Sequence, residues 1–153
     1  MTNQQKTILD LIVKLNDAEF GSWFNPSEVM AFVQVESAFR PHASRYEARL
    51  SESSYGLMQV LASTARGTGL VNPVDMFTPE IGLHVGMTIA RLYWEQETKH
   101  FGREPTNDEW CAAYNEGVGG AERDVAAGRD PDPAYVHVWT AAQQYWEAQG
   151  IDS

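Results

Sequence analysis

The chain has 153 residues and a mass of 17.1 kDa, which predicts a single domain over 1–153. Its 43% hydrophobic and 21% charged residues exclude a disordered chain, and its single cysteine, Cys111, excludes an internal disulfide. Eleven Lys and Arg against 21 Asp and Glu give a net charge of −10, which argues against binding nucleic acid or an anionic membrane surface. No apolar run approaches the roughly 20 residues of a spanning helix, so no membrane insertion is expected.

The periodicity is helical almost throughout. Thr2–Lys6 leads into an amphipathic stretch instead of an apolar signal core, so no export signal is read. Ile8, Leu11, Ile12 and Leu15 fall at i, i+3, i+4 and i+7, and Gly21 follows as a stop. Asn25-Pro26-Ser27-Glu28 opens a second helix with an N-cap, a first-turn proline and a capping-box glutamate. Pro41 predicts that it ends near Arg40. Residues 41–56 read as a loop, with two strands around 44–56 as the first alternative, and a short helix is placed within 57–67. Thr78-Pro79-Glu80 starts a long helix with Ile81, Val85, Ile89 and Leu92 on its apolar side, running to about His100. Thr106 to Glu109 is another capping box, ahead of Trp110, Ala113 and Tyr114; Gly117, Gly119 and Gly120 are read as breaking that helix. Asp132-Pro133 opens a last helix with a stripe of Tyr135, Val138, Trp139, Ala142 and Tyr145 or Trp146.

One residue contradicts this patterning. At about 100° per residue, Val29, Phe32, Val33 and Glu36 share one arc of the second helix, with Glu36 near its centre. A carboxylate on an apolar stripe is costly to desolvate, and desolvation moves its pKa towards neutrality, where a general acid operates. The plain alternative is a helix-end glutamate reaching solvent or pairing with Arg40 or Arg45. The spacing alone leaves both open.

Three motifs accompany it in order: Glu36-Ser37 followed by Phe39 and Pro41, Gly56-Leu57-Met58-Gln59 followed by Ser63-Thr64-Ala65, and Ala113-Tyr114-Asn115 before a glycine-rich turn. With the intervening helix and a later Tyr135-Val136, they resemble the lytic transglycosylases of the soluble type over roughly residues 25–140. The resemblance implies an all-α, mainly helical, lysozyme-like fold with at most a small irregular β region near 44–56. It implies cleavage of the β-1,4 bond between N-acetylmuramic acid and N-acetylglucosamine in peptidoglycan, with the muramic 6-hydroxyl attacking to leave a 1,6-anhydro sugar. Hydrolysis on the same fold, as in a lysozyme, is the alternative, and a non-catalytic wall-binding or virion protein a third.

By that resemblance Glu36 is the single catalytic acid/base and Ser37 its local support, unless it is a helix-surface hydroxyl. Gly56 permits a tight turn against the cleft. Met58 and Gln59 line the cleft, the Gln59 amide meeting an N-acetyl group or sugar hydroxyl, while Met58 also suits core filling. Tyr114 brings its hydroxyl to the catalytic carboxyl, Asn115 orients the site or caps its helix, and Tyr135 lies by the cleft or in the core. The sequence departs from the family pattern in three places. The Glu36–Gly56 interval is a few residues longer, Ala62 replaces a frequent proline, and Glu116 follows the Tyr-Asn pair where a small residue is usual.

The other signals are weaker. His42, His84, His100 and His137 have no metal-ligand spacing, and no metal or cofactor is expected. Cys111 reads as a small buried hydrophobe. Most Trp, Tyr and Phe are expected in the core, with Trp23, Phe24, Tyr46 and Tyr55 as the exposed loop candidates for stacking on sugars. A chain at −10 is repelled at long range by a polyanionic wall. That favours delivery to the periplasmic wall from the host cytoplasm or as part of a bacteriophage particle or secretion machine, whose proteins become further partners beside the glycan strands. Arg40, Arg45, Arg49 and Arg66 bunch around the motif region, against the overall charge.

Overall fold

Local capping sets the first helices. The Thr2 hydroxyl accepts from the Gln5 amide at 3.0 Å and the Gln5 side chain accepts from the Thr2 amide at 2.9 Å, which starts α1 (Asn3–Glu19). At its far end the buried Asn16 side chain clamps the backbone of Phe24 through both N–H and C=O, at 3.1 and 2.8 Å. That clamp aims the chain into α2 (Pro26–Ser37), where Glu28 accepts from the Asn25 amide. Then follow β1 (Ser44–Glu47), β2 (Glu52–Tyr55), β3 (Val60–Leu61), α3 (Ala62–Gly67), α4 (Pro79–Phe101), α5 (Asn107–Glu116), α6 (Val118–Ala126) and α7 (Pro133–Ala148). This computed structural model describes residues 1–152. The fold is mainly helical with one small antiparallel sheet in the order β1-β2-β3.

The residues group into two compact units, one formed by 1–87 with the segment from Ala142 onward, the other by Thr88–Ala141. In the first, Val29, Met30, Phe32, Val33, Leu57, Met58, Met76, Leu83 and Met87 are fully buried or nearly so. The same unit ties α2 down at both ends. Asp152 accepts from the Ser27 amide and hydroxyl at 2.7 and 2.6 Å. At the other end Trp146 donates to the Gln34 side chain at 2.8 Å and packs edge-on against Phe39. In the second unit Trp110 is buried between Trp94 and Trp139 and donates to the Ala90 carbonyl at 2.7 Å. Beside it Ala112, Ala113 and Ala121 pack with Val118 and Val136. Cys111 is buried there, as its reading as a small hydrophobe implied.

Several boundaries differ from the sequence reading, each for a local reason. The loop at 41–56 is a β-hairpin: Ser44 pairs with Tyr55 and Tyr46 with Ser53. Only Ser54 of its strand residues is buried, so no hydrophobic alternation marks it. The helix placed within 57–67 begins only at Ala62, because Val60–Leu61 pairs with β2. Helix α2 ends at Ser37 and not near Arg40, since Ala38 and Phe39 take left-handed φ values of 50° and 62°. Gly117 (φ 86°) does break α5, but Gly119 and Gly120 lie inside α6. Leu92, Val138 and Tyr145 are exposed, so they leave the stripes assigned to them, whereas the loop residue Phe24 is buried against Phe20.

Candidate active site

Glu36 stands on the last turn of α2, half-buried, one turn beyond the fully buried Phe32 and Val33. The backbone around it is unusually constrained. Ser37 is buried, which removes the surface reading, and its hydroxyl donates back to the Val33 carbonyl at 3.0 Å. The Arg40 guanidinium donates to the Ser37 carbonyl at 3.1 Å. Two consecutive non-glycine residues in the left-handed region, Ala38 and Phe39, cost on the order of 1–2 kcal/mol each. The burial of Phe39 against Trp146 offsets part of that cost. The helix end bearing Glu36 is therefore fixed by packing on one side and by an enforced reversal on the other.

The second motif forms the base of the hairpin. Gly56 has φ 83°, and a Cβ there would lie 2.4 Å from the Met76 carbonyl oxygen, so both its conformation and its surroundings demand glycine. Its amide donates to the Ala43 carbonyl at 2.9 Å, closing the hairpin. Gly82 and Gly86, one turn apart on α4, complete the close approach. A Cβ on Gly82 would strike the same Met76 carbonyl at 2.5 Å, and one on Gly86 would strike the Met58 side chain at 2.4 Å. These two were not singled out from the sequence, although their i, i+4 spacing is the signal for a helix face admitting close contact.

Met58 is accordingly fully buried, in the position of core filler. Gln59, with a left-handed φ of 49°, is an internal brace. Its amide nitrogen donates to the Ala43 and Gly56 carbonyls at 2.8 and 2.9 Å, and its oxygen accepts from the buried Ser54 at 3.0 Å. Both amide hydrogens are thus spent inside the loop, and only the oxygen retains capacity for a further donor.

Three further carboxylates lie on the hairpin and the turns that follow it. Glu47 pairs with Arg45 at 2.9 Å. Glu52 accepts from the Ser63 amide and hydroxyl, both at 2.8 Å, and so caps α3; those hydrogen bonds hold its carboxyl below the usual range. Asp75 is exposed in the short 3-10 turn Pro73–Phe77.

The third motif lies in the other unit. Tyr114 is half-buried on α5, edge-on to Tyr93 at 6.4 Å. Asn115 is exposed and donates to the Asp132 carboxylate at 2.6 Å, joining the end of α5 to the segment before α7. Tyr135 is half-buried in the first turn of α7. Glu116 shares a hydrogen bond with Asp124. Partial desolvation, that bond and the nearby Asp132 push its carboxyl up to about 7, while Arg129 holds Asp124 down. Among the described residues no group of three or more His, Cys, Asp or Glu side chains is arranged to hold a metal ion, and no helix is long and apolar enough to cross a membrane.

Comparison with known proteins bears on the family and the fold. No curated protein sequence matches the chain. Among solved structures it is similar to the 70 kDa soluble lytic transglycosylase of Escherichia coli, with a TM-score of 0.72 and 25% identity over 94% of this chain; it spans 24% of that longer protein. The family model for the transglycosylase SLT domain matches residues 16–135, a stretch containing Glu36, the hairpin, Gln59, Tyr114 and Tyr135, and the chain belongs to that family.

Proposed function

We propose that this chain is a lytic transglycosylase domain that cleaves the bond between N-acetylmuramic acid and N-acetylglucosamine in peptidoglycan, using Glu36 as its acid/base. The observation that carries the reading is the family match over residues 16–135, joined to a half-buried Glu36 at a rigidly terminated helix end. The Glu36 carboxyl gives its proton to the glycosidic oxygen as that bond breaks, freeing the 4-hydroxyl of N-acetylglucosamine. The carboxylate then takes the proton of the muramic 6-hydroxyl, whose oxygen bonds to the anomeric carbon and closes the 1,6-anhydro ring. No external nucleophile is needed, because the attacking hydroxyl belongs to the same sugar and is held at high effective concentration.

Ser37, Gly56, Met58 and Gln59 act as support. They fix the backbone on either side of the hairpin, with the Gln59 oxygen as the acceptor left for substrate. Tyr114, Asn115 and Tyr135 are the supporting residues of the third motif. A hydrolase needs a second carboxylate to attack the sugar or activate water. The engagement of Glu47 with Arg45 and of Glu52 with Ser63 supports the one-carboxylate reaction. The substrate lies outside the cytoplasm, so the domain acts on the periplasmic wall, reached with a phage particle or secretion machine or from the host cytoplasm.

The test is digestion of purified sacculi followed by borohydride reduction of the fragments. Anhydro ends resist reduction, whereas hydrolysed ends gain two hydrogens. Predominantly anhydro ends are expected from the wild type, and no release at all from a folded Glu36→Gln. Reducible ends would make this a lysozyme. More than a few per cent of activity in Glu36→Gln would remove Glu36 from its role.

A further inference from the structure

The register of the hairpin puts Ser44, Tyr46, Ser53 and Tyr55 on one face of the sheet and Arg45, Glu47, Glu52 and Ser54 on the other. The first face is aromatic and open. Tyr46 is 64% exposed. Tyr55, its diagonal neighbour across the strands, is half-buried and lies 5.6 Å from the Phe77 ring, which in turn stacks on the exposed His42 at 5.4 Å. Folding gains little by leaving such a row in water, since its outermost ring covers no core.

The charge of this region is also inverted. Residues 40–66 carry four arginines against two glutamates, whereas the rest of the chain carries seven basic against 19 acidic residues. One glutamate pairs with Arg45 and the other caps α3, which leaves the exposed Arg49, in the 3-10 turn Ala48–Leu50 that closes the hairpin, as an uncompensated cation. The hairpin lies wholly within the interval between Glu36 and Gly56.

We infer that this hairpin is a glycan-strand platform. Pyranose rings lie with their C–H faces on Tyr46 and Tyr55, and Arg49 meets the carboxylates of the lactyl groups and stem peptides that the same strand carries. The aromatic face recognises the apolar face of a sugar, and the guanidinium recognises a carboxylate. The platform rests on the proposed function, and it makes Tyr46 and Arg49 determinants of affinity without a part in the proton transfers. It also gives an acidic chain one patch complementary to a polyanionic wall.

Co-sedimentation with purified sacculi, together with titration of a carboxylate-free hexamer of N-acetylglucosamine, tests this on folded full-length variants. Tyr46→Ala is expected to weaken binding to both ligands by about tenfold, with Tyr46→Phe close to wild type. Arg49→Ala is expected to weaken sacculus binding only and to flatten its salt dependence. Tyr46→Thr, which retains strand propensity, substitutes if the alanine variant unfolds. Wild-type affinity of Tyr46→Ala and Tyr46→Thr for both ligands would overturn the platform. If those variants also release anhydro ends at the wild-type rate, the proposed function survives and the platform alone fails. A wild-type chain that neither binds nor cleaves sacculi would overturn both.

Discussion

Glu97 offers a quantitative test of how the unit Thr88–Ala141 is held together. It lies on α4 with no exposed surface, and neither carboxyl oxygen has a hydrogen-bond partner among the described residues. Burial, then the charges of Glu109 and Glu122, push its pKa up to about 8 from an ordinary value of 4.5, against the pull of Arg103. The folded state therefore binds this proton more tightly than the unfolded state. Its contribution to stability is whole below pH 4.5 and is lost as pH rises towards 8. At about 1.4 kcal/mol per pH unit the loss is about 3 kcal/mol at pH 7 and approaches about 5 kcal/mol above pH 8. Glu97→Leu removes the titrating group and leaves an apolar side chain of similar reach in the enclosed position. Its stability advantage over wild type should widen by about 1.4 kcal/mol per pH unit between roughly pH 5 and 8, on the order of 10 °C in Tm at the upper end. Glu97→Gln, which cannot ionise, should show the same flat profile at lower overall stability. Urea unfolding followed by tryptophan fluorescence reads this directly, because Trp94, Trp110 and Trp139 all lie in that unit. An advantage of the leucine variant that is the same at pH 5 and pH 8.5 would refute the reasoning.

Other positions give sharper local outcomes. Gly56→Ala meets both a left-handed φ and the Met76 carbonyl, so thermal unfolding should show a loss of roughly 2–5 kcal/mol. Gly69→Ala, with φ 100° and nothing within 4 Å, should show only the conformational share of that loss. Tyr114→Phe should lower turnover roughly 10- to 1000-fold, the range for a positioned polar group, with little change in Tm; an unchanged rate with lost stability would mark Tyr114 as core. Glu116→Gln should retain most sacculus-cleaving activity, because its carboxyl is engaged with Asp124; inactivity of the folded variant would restore the two-carboxylate mechanism.

Helix positions were legible wherever capping chemistry and periodicity coincide. Asn25 and Thr106 each start the helix expected of them, and the 23 residues of α4 run close to their expected bounds. Helix ends were less legible. The arrest of α2 at Ser37 depends on Phe39 packing against Trp146, more than 100 residues away, and no local propensity carries that information. The hairpin was legible only as the alternative to a loop at 41–56, because its strands bury one side chain, Ser54. For the candidate site, the sequence supplied Glu36 on an apolar arc and the glycine at 56. It did not show that Gln59 spends its amide hydrogens on the loop, since both acceptors are backbone carbonyls set by the turn. Glu97 carried the same kind of signal as Glu36, since it continues the series Leu83, Met87, Ala90 and Trp94 at helical spacing, but the apolar side of α4 was read along Ile81, Val85, Ile89 and Leu92 instead.

The double attachment of α2 to the segment from Trp146 to Asp152 bears on how the protein is made. The bond between Ser27 and Asp152 joins residues 125 positions apart, and the contact between Gln34 and Trp146 joins residues 112 apart. Such closures contribute only after the entropy of the intervening loop has been lost, a cost that rises slowly with loop length, and contacts so far apart in sequence slow folding. During synthesis, from the N-terminus onward, α2 emerges early but stays without either clamp until Trp146 and Asp152 have emerged as well. The helix that carries Glu36 is therefore completed only once residues more than 100 positions later are available, and a nascent chain holds its carboxyl in an unfinished setting until then.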